Sequence, residues 1–334
     1  MTTPRSAQID LTATSYYHCI ARCVRRTYLC GYRSDIKKDF SHRKQWIVNR
    51  MKHLAKAFYI DVCAYAVMSN HYHLVLHVNQ VDAKSASFEE LLARWKMIYS
   101  NDAKKIQKKL KALGEHHEAY KLEITETLRH KLSNISRFMG SLNEVIAKMG
   151  NLEENLTGRF WEGRFKSQAL LDEGALLCAM AYVDLNPIRA GLALTPELSA
   201  FTSIQERILQ LNNPSQKKSN RPPTWLMPFL ANSNSFTLQQ AIPFKLDDYL
   251  VLLDTTGRLI TDSKKAAIPQ NLAPILERLQ LTQRGWFKMI GSLEKNFSYA
   301  VGSPVALSHF MPGFRNRKSM LLKFVGECYN STAA

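Results

Sequence analysis

The chain is poor in the features that mark secreted, membrane or zinc-ribbon proteins. Its six cysteines (Cys19, Cys23, Cys30, Cys63, Cys178 and Cys328) are scattered and include no C-x-x-C pair, which argues against a zinc ribbon or a dithiol redox motif. Cys19 and Cys23 fall in one expected strand, too far apart for easy bridging, so reduced and mostly buried thiols are expected. No apolar run approaches the roughly 18 residues that a membrane-spanning helix needs. Met1-Thr-Thr-Pro-Arg-Ser-Ala-Gln lacks the apolar core of a secretory signal. A cytoplasmic protein with no membrane partner is therefore expected. Acidic residues are also scarce, 28 Asp and Glu against 45 Lys and Arg, for a net charge of +17. Such an excess favours a polyanionic partner through counterion release, with nucleic acid the first candidate.

What is present is a globular composition, 46% hydrophobic and 22% charged, over 334 residues. That length exceeds one ordinary core, so a principal domain with an extension is expected. Residues 16–25 read as a strand, and His42 to Phe58 carries Ile47, Met51, Leu54, Ala55 and Phe58 at helical spacing. Residues 59–68 and 71–79 predict two strands joined by a tight turn at Ser69-Asn70. From Phe88 to Lys131 the composition turns to Lys, Glu, Leu and Ala, with Gly114 as a break, which predicts a helical insertion at about 84–131. Its lysine run, Lys104 to Lys111, reads as a solvated face. Residues 133–149 predict an amphipathic helix, Phe160 to Leu171 a strand, and Glu173 to Leu185 a helix ended by Asn186-Pro187.

The order strand, helix, strand, strand, helix, strand, helix predicts an α+β fold with a mainly antiparallel sheet. Residues 212–223 are polar, proline-bearing and linker-like. The division expected is a domain over 1–196 and a mostly helical C-terminal extension over 197–334. Within the extension, Leu272 to Leu281 and Gln283 to Leu293 predict two short helices around Thr282, followed by the basic run Arg315-Asn-Arg317-Lys318. Ordinary helical packing is expected there, with a DNA-reading helix-turn-helix as the alternative.

The residues with the clearest chemistry are His71 and His73, in Ala64-Tyr-Ala-Val-Met-Ser-Asn-His-Tyr-His-Leu-Val-Leu-His-Val78. On a strand, His71, His73 and His77 share one face while Leu74, Leu76 and Val78 take the other. Two imidazoles on one face can grip one metal ion. Tyr182 stands four residues before Asn186 on an expected helix, so a phenol and an amide share a face. Arg159, Arg164 and Lys166 alternate with Phe160, Trp161 and Phe165, a pattern that suits single-stranded nucleic acid, although the rings also suit a sheet core. Arg22, Arg25, Arg26 and Arg33 near the first strand could grip a hairpin stem.

Three stretches, Val67-Met-Ser-Asn-His-Tyr-His-Leu-Val75, Gly158-Arg-Phe-Trp-Glu-Gly-Arg-Phe-Lys-Ser167 and Ala181-Tyr-Val-Asp-Leu-Asn-Pro-Ile-Arg-Ala-Gly-Leu192, occur in this order. Together they resemble the single-tyrosine HUH transposases, in the REP-associated tyrosine transposase branch. The resemblance covers roughly residues 14–195. It implies a ferredoxin-like palm that cuts and joins single-stranded, hairpin-containing DNA through a 5′-phosphotyrosine intermediate. It casts Tyr182 as nucleophile and His71, His73 and Asn186 as ligands of a divalent ion, Mg2+ or Mn2+. It leaves a monomer or a homodimer open. The insertion is longer than the family's pattern, and the last 135 or so residues lie outside it. Two other readings stand beside it: a domesticated hairpin-DNA-binding protein without strand transfer, and a metal-dependent nuclease that uses water.

Overall fold

Side chains of strand β1 (Tyr16–Arg22) alternate, with Tyr17, Cys19 and Ala21 on one face and His18, Ile20 and Arg22 on the other. The computed structural model describes residues 8–24, 29–33, 37–211, 225–230, 240–261, 273–310 and 315–329. After a two-stranded ribbon, β2 (Tyr32–Arg33) and β3 (Lys38–Asp39), helix α1 (Arg43–Ala57) buries Ile47, Val48, Met51 and Leu54 on the expected stripe. Strands β4 (Ile60–Val67) and β5 (His71–Val78) follow. The Ser69-Asn70 turn between them is closed by the Met68 N–H on the His71 carbonyl at 2.9 Å.

After a short α2 (Gln80–Ser85), the stretch expected to be helical at about 84–131 holds α3 (Phe88–Ile98), α4 (Ser100–Leu113) and α5 (Glu118–Leu132). Gly114 ends α4 with φ +52°, a conformation that L side chains rarely adopt. Lys104, Lys105, Lys108 and Lys111 are exposed on α4 while Ala103 and Ile106 face inward. Helix α6 (Ile135–Glu154) then packs against α1.

Strand β6 (Lys166–Leu170) is shorter than the expected 160–171. Phe160 and Trp161 are neighbours in sequence and both buried, which an alternating strand with one solvated side cannot achieve. The stretch instead wraps the end of β1: Val24 N–H bonds the Phe160 carbonyl at 2.9 Å and Glu162 N–H the Arg22 carbonyl at 2.8 Å.

Helix α7 (Glu173–Asp184) pauses at Leu185, and Pro187 sits in the first turn of the short α8 (Asn186–Arg189). Every residue from Gly174 to Asp184 is buried, so α7 must be covered on all sides. The sheet β4-β5-β1-β6-β7 covers one side. Residues beyond 197 form α9 (Ser203–Leu211), α10 (Leu246–Thr261), α11 (Ala273–Arg278), α12 (Gln283–Asn296), β7 (Ala300–Val301), α13 (Pro304–Phe310) and α14 (Arg315–Gly326); of these, α12 packs on α7, and α9 and α10 hold its end through Asp184.

The protein is thus α+β, with the ferredoxin-like order of strands set by antiparallel pairing of β4 with β5, β5 with β1 and β1 with β6. Strand β7 extends the sheet, pairing in parallel with β6. On the opposite edge, Met227 N–H bonds the Val62 carbonyl at 2.9 Å. The six cysteines are free and buried, as expected. No helix among the described residues is long and apolar enough to cross a membrane.

Candidate active site

Antiparallel register brings the polar residues of three strands to one face of the sheet. Arg22 lies opposite His71, Ile20 opposite His73, and Gln168 opposite His18. Residues paired in this way project from the same side, and here it is the side that α7 covers. Helix α7 brings Tyr182 to within 5.6 Å of the His73 ring, centroid to centroid, at an interplanar angle of 79°. Asn186, one turn on, sets its Nδ2 3.3 Å from His73 Nε2. Three segments far apart in sequence, β1, β5 and α7–α8, therefore meet within one subunit.

A fourth participant comes from α12. Glu294 Oε1 accepts a hydrogen bond from the Tyr182 hydroxyl at 2.6 Å and lies 3.5 Å from His73 Nε2. Arg22 Nη2 is 3.8 Å from Glu294 Oε2. Ligand atoms of His71, His73 and Glu294 all lie within 4.8 Å of one another. Bond lengths of about 2.0–2.2 Å place donors around one ion roughly 3–4 Å apart, so small side-chain movements would close this set on a divalent cation. Two nitrogens and a carboxylate suit a transition ion of intermediate hardness.

The electrostatics fit that chemistry. Burial, with Arg22 as the next cause, lowers the His71 imidazole to about 4. Burial also holds His73 well below the ordinary histidine range, assisted by His18 and His71. Both rings are neutral near pH 7 and have lone pairs to give. The Tyr182 phenol is pushed above its usual range, first by burial and then by the Glu294 charge, so its resting form is protonated. The Arg189 guanidinium stacks 4.6 Å from the Tyr182 ring and donates to the carbonyls of Ile290 (2.9 Å) and Gly291 (3.2 Å) of α12.

His71, His73, Tyr182, Asn186 and Arg22 thus come together. Arg159, Arg164 and Lys166 are exposed. Trp161 is 9% exposed, donates from Nε1 to the Asn143 carbonyl at 2.8 Å and packs edge-on against Tyr72. It is a core residue with no open face for a base, as are Phe160 and Phe165. His77 shares the parity of the other two histidines but pairs with Asp61 at 3.0 Å near the far end of β5. Arg25 and Arg26, the 212–223 stretch, and the side chains of Arg33, Arg315, Arg317 and Lys318 lie outside the described residues.

Sequence reasoning missed His18, Gln168, Arg189 and Glu294. His18 has the parity of Arg22 on β1, so a β1–β5 pairing would have found it. Glu294 has no local signal, since it is one acid on an ordinary amphipathic helix. No family model matches the chain, and no curated protein matches it. Among solved structures, a chain described as a REP-associated tyrosine transposase bound to a REP hairpin is similar at 10% identity and a TM-score of 0.36, covering 60% of this chain and 82% of that one.

Proposed function

We propose that the protein is a metal-dependent enzyme that cleaves and rejoins single-stranded, hairpin-containing DNA, of the single-tyrosine HUH type in the REP-associated branch. The observation that carries this reading is the meeting of the Tyr182 hydroxyl, the Glu294 carboxylate and the His71–His73 pair on one face of the sheet. The motif resemblance and the +17 charge agree with it. The catalytic unit proposed spans 1–196, with the insertion at about 84–131, and residues 197–334 form an extension that reaches into the site through Glu294.

In the proposed reaction Tyr182 Oη bonds to phosphorus as the bond to the 3′ oxygen breaks, leaving a 5′-phosphotyrosyl ester and a 3′-hydroxyl. The phenol proton passes to Glu294 Oε1, already 2.6 Å away, and the leaving 3′ oxygen takes a proton from water. A second 3′-hydroxyl reverses the step without ATP, because the ester keeps the energy of the broken link. Arg22 and Arg189 add positive charge beside the reacting phosphate. His71, His73 and Glu294 would hold the cation, with Asn186 beside them. When bound, the ion neutralises phosphate charge and orients the scissile group. The nitrogen-rich set favours Mn2+ over Mg2+.

One observation favours a water-using nuclease as the second reading. Tyr182 is only 6% exposed, and Glu294 could equally take a proton from water. The test is a labelled hairpin oligonucleotide with single-stranded flanks, incubated with Mn2+ or Mg2+ and resolved on a denaturing gel. Wild type is expected to give a covalent protein–DNA band, and Tyr182→Phe to bind the oligonucleotide normally but give no such band. Undiminished cleavage by Tyr182→Phe would select the nuclease. Absence of cleavage by wild type across a panel of hairpins would reduce the protein to a DNA binder.

A further inference from the structure

Behind the cluster runs a buried hydrogen-bonded chain whose direction can be worked out from one end. It begins at the carbonyls of Leu293 and Phe297, at the C-terminal end of α12. Carbonyl oxygens only accept, and the Gln168 Nε2 lies 3.3 Å from the first and in hydrogen-bond contact with the second. Rotating the amide by half a turn would set oxygen against two oxygens, so the orientation is forced. Gln168 Oε1 then faces β1, 2.6 Å from His18 Nδ1. An amide oxygen carries no hydrogen, so the hydrogen must be on His18 Nδ1. A neutral imidazole has one N–H, which leaves His18 Nε2 bare. That bare nitrogen lies 3.0 Å from His73 Nδ1, which must therefore be the donor.

We propose that Gln168 and His18 are positioning residues that hold His73 in its Nδ1–H form, leaving the Nε2 lone pair directed toward Glu294 and the cation site. The inference rests on the metal-centre reading above. The opposite tautomer of His73 would place a hydrogen where the ion must bind, and so would prevent coordination. It would also require His18 to donate from both nitrogens, hence to carry a charge while 0% exposed, which is costly with no paired anion. The separation of 3.5 Å between His73 Nε2 and Glu294 Oε1 is too long for a good hydrogen bond, as expected if no hydrogen lies between them. Because the chain starts at α12, the helix that supplies Glu294 also sets the tautomer of His73.

The test uses the full chain, labelled with 15N-histidine and stripped of metal with a chelator. Two-bond 15N–1H correlation spectra should show His73 with a protonated Nδ1 and a bare Nε2. A bare Nδ1 on His73 would overturn the proposal without any variant. Mn2+ binding, followed by the electron paramagnetic resonance signal of the free ion, supplies the second arm. His18→Met replaces the ring nitrogen by a thioether sulfur, only a weak acceptor, and should bind Mn2+ about 10–100-fold more weakly, with the His73 ring shifted toward its Nε2–H form. His18→Gln keeps an acceptor oxygen near the position of Nε2 and should restore both readouts to near wild type. Equal Mn2+ affinity in wild type and folded His18→Met would also overturn it. A wild type with His73 in the Nδ1–H form but no Mn2+ affinity would sustain the tautomer assignment while removing the metal-centre reading.

Discussion

Glu294 places one carboxylate within reach of Tyr182, His73 and Arg22, so removing its charge acts on three partners. Glu294→Gln keeps the volume but gives up the anionic ligand. It should weaken Mn2+ binding at least tenfold by calorimetry while leaving the thermal melt nearly unchanged; wild-type affinity would exclude Glu294 from the metal centre. Asp184, two residues beyond Tyr182, has a different role. It is 0% exposed and accepts from the Ile204 N–H at 3.0 Å, the Tyr249 hydroxyl at 2.7 Å and the Ser203 hydroxyl. Burial pushes its carboxyl up to about 6 even with these donors, so it ties α7 to α9 and α10 against a desolvation cost. Asp184→Ala would strand the Ile204 N–H and the Tyr249 hydroxyl at about 1–3 kcal/mol each, whereas the Ser203 hydroxyl has the Tyr65 carbonyl at 3.3 Å as a second acceptor. Unfolding in urea should show a loss of roughly 2 kcal/mol or more, and a loss below about 1 kcal/mol would mean that water or relaxation replaces the carboxylate.

Helices α7 and α12 build the site together, because Tyr182 lies on one and the Glu294 carboxylate on the other. Helix α12 starts at Thr282, whose hydroxyl caps the Gly285 N–H at 2.8 Å. The backbone leaves helical geometry at Ser292 (φ −135°, ψ 15°), just before Glu294. The Ile290 and Gly291 carbonyls near this break are taken by Arg189, so α8 and α12 are joined beside Tyr182 and Glu294. Gly285 fixes the other end of α12. A Cβ there would collide with the backbone carbonyl of Cys328, and backbone cannot rotate aside as a side chain can. Gly285→Ala should therefore displace α12. The expected outcome is a melting temperature lower by several degrees together with weaker Mn2+ binding; an unchanged melt would show that the Cys328 segment yields easily.

At the scale of the whole molecule, the excess of basic residues governs how the protein meets a polyanion. If six to ten phosphates are contacted, affinity for a hairpin oligonucleotide should fall by about 10³–10⁵ between roughly 50 and 200 mM salt. Fluorescence anisotropy would measure it, and a flat dependence would argue against a nucleic acid partner. The exposed Arg159, Arg164 and Lys166 fit such binding, whereas Trp161 is turned inward, against Tyr72 and onto the Asn143 carbonyl. Local pattern was enough to read the βαββαβ order, the helices of α3 to α5 with their break at Gly114, and the shared face of His71 and His73, because strand and helix periodicities are properties of neighbouring residues. The same periodicity placed Tyr182 and Asn186 together. It could not supply Glu294, Gln168 or the covering of α7, since these depend on which elements pack across the sheet, and no spacing between residues 182 and 294 encodes that. The sequence by itself determined the shared faces of His71 with His73 and of Tyr182 with Asn186, through repeats of two and about four residues. Tertiary structure alone decided the acid that joins them and the tautomer-setting chain behind them, because burial and cross-strand register come into being only when distant segments share one core.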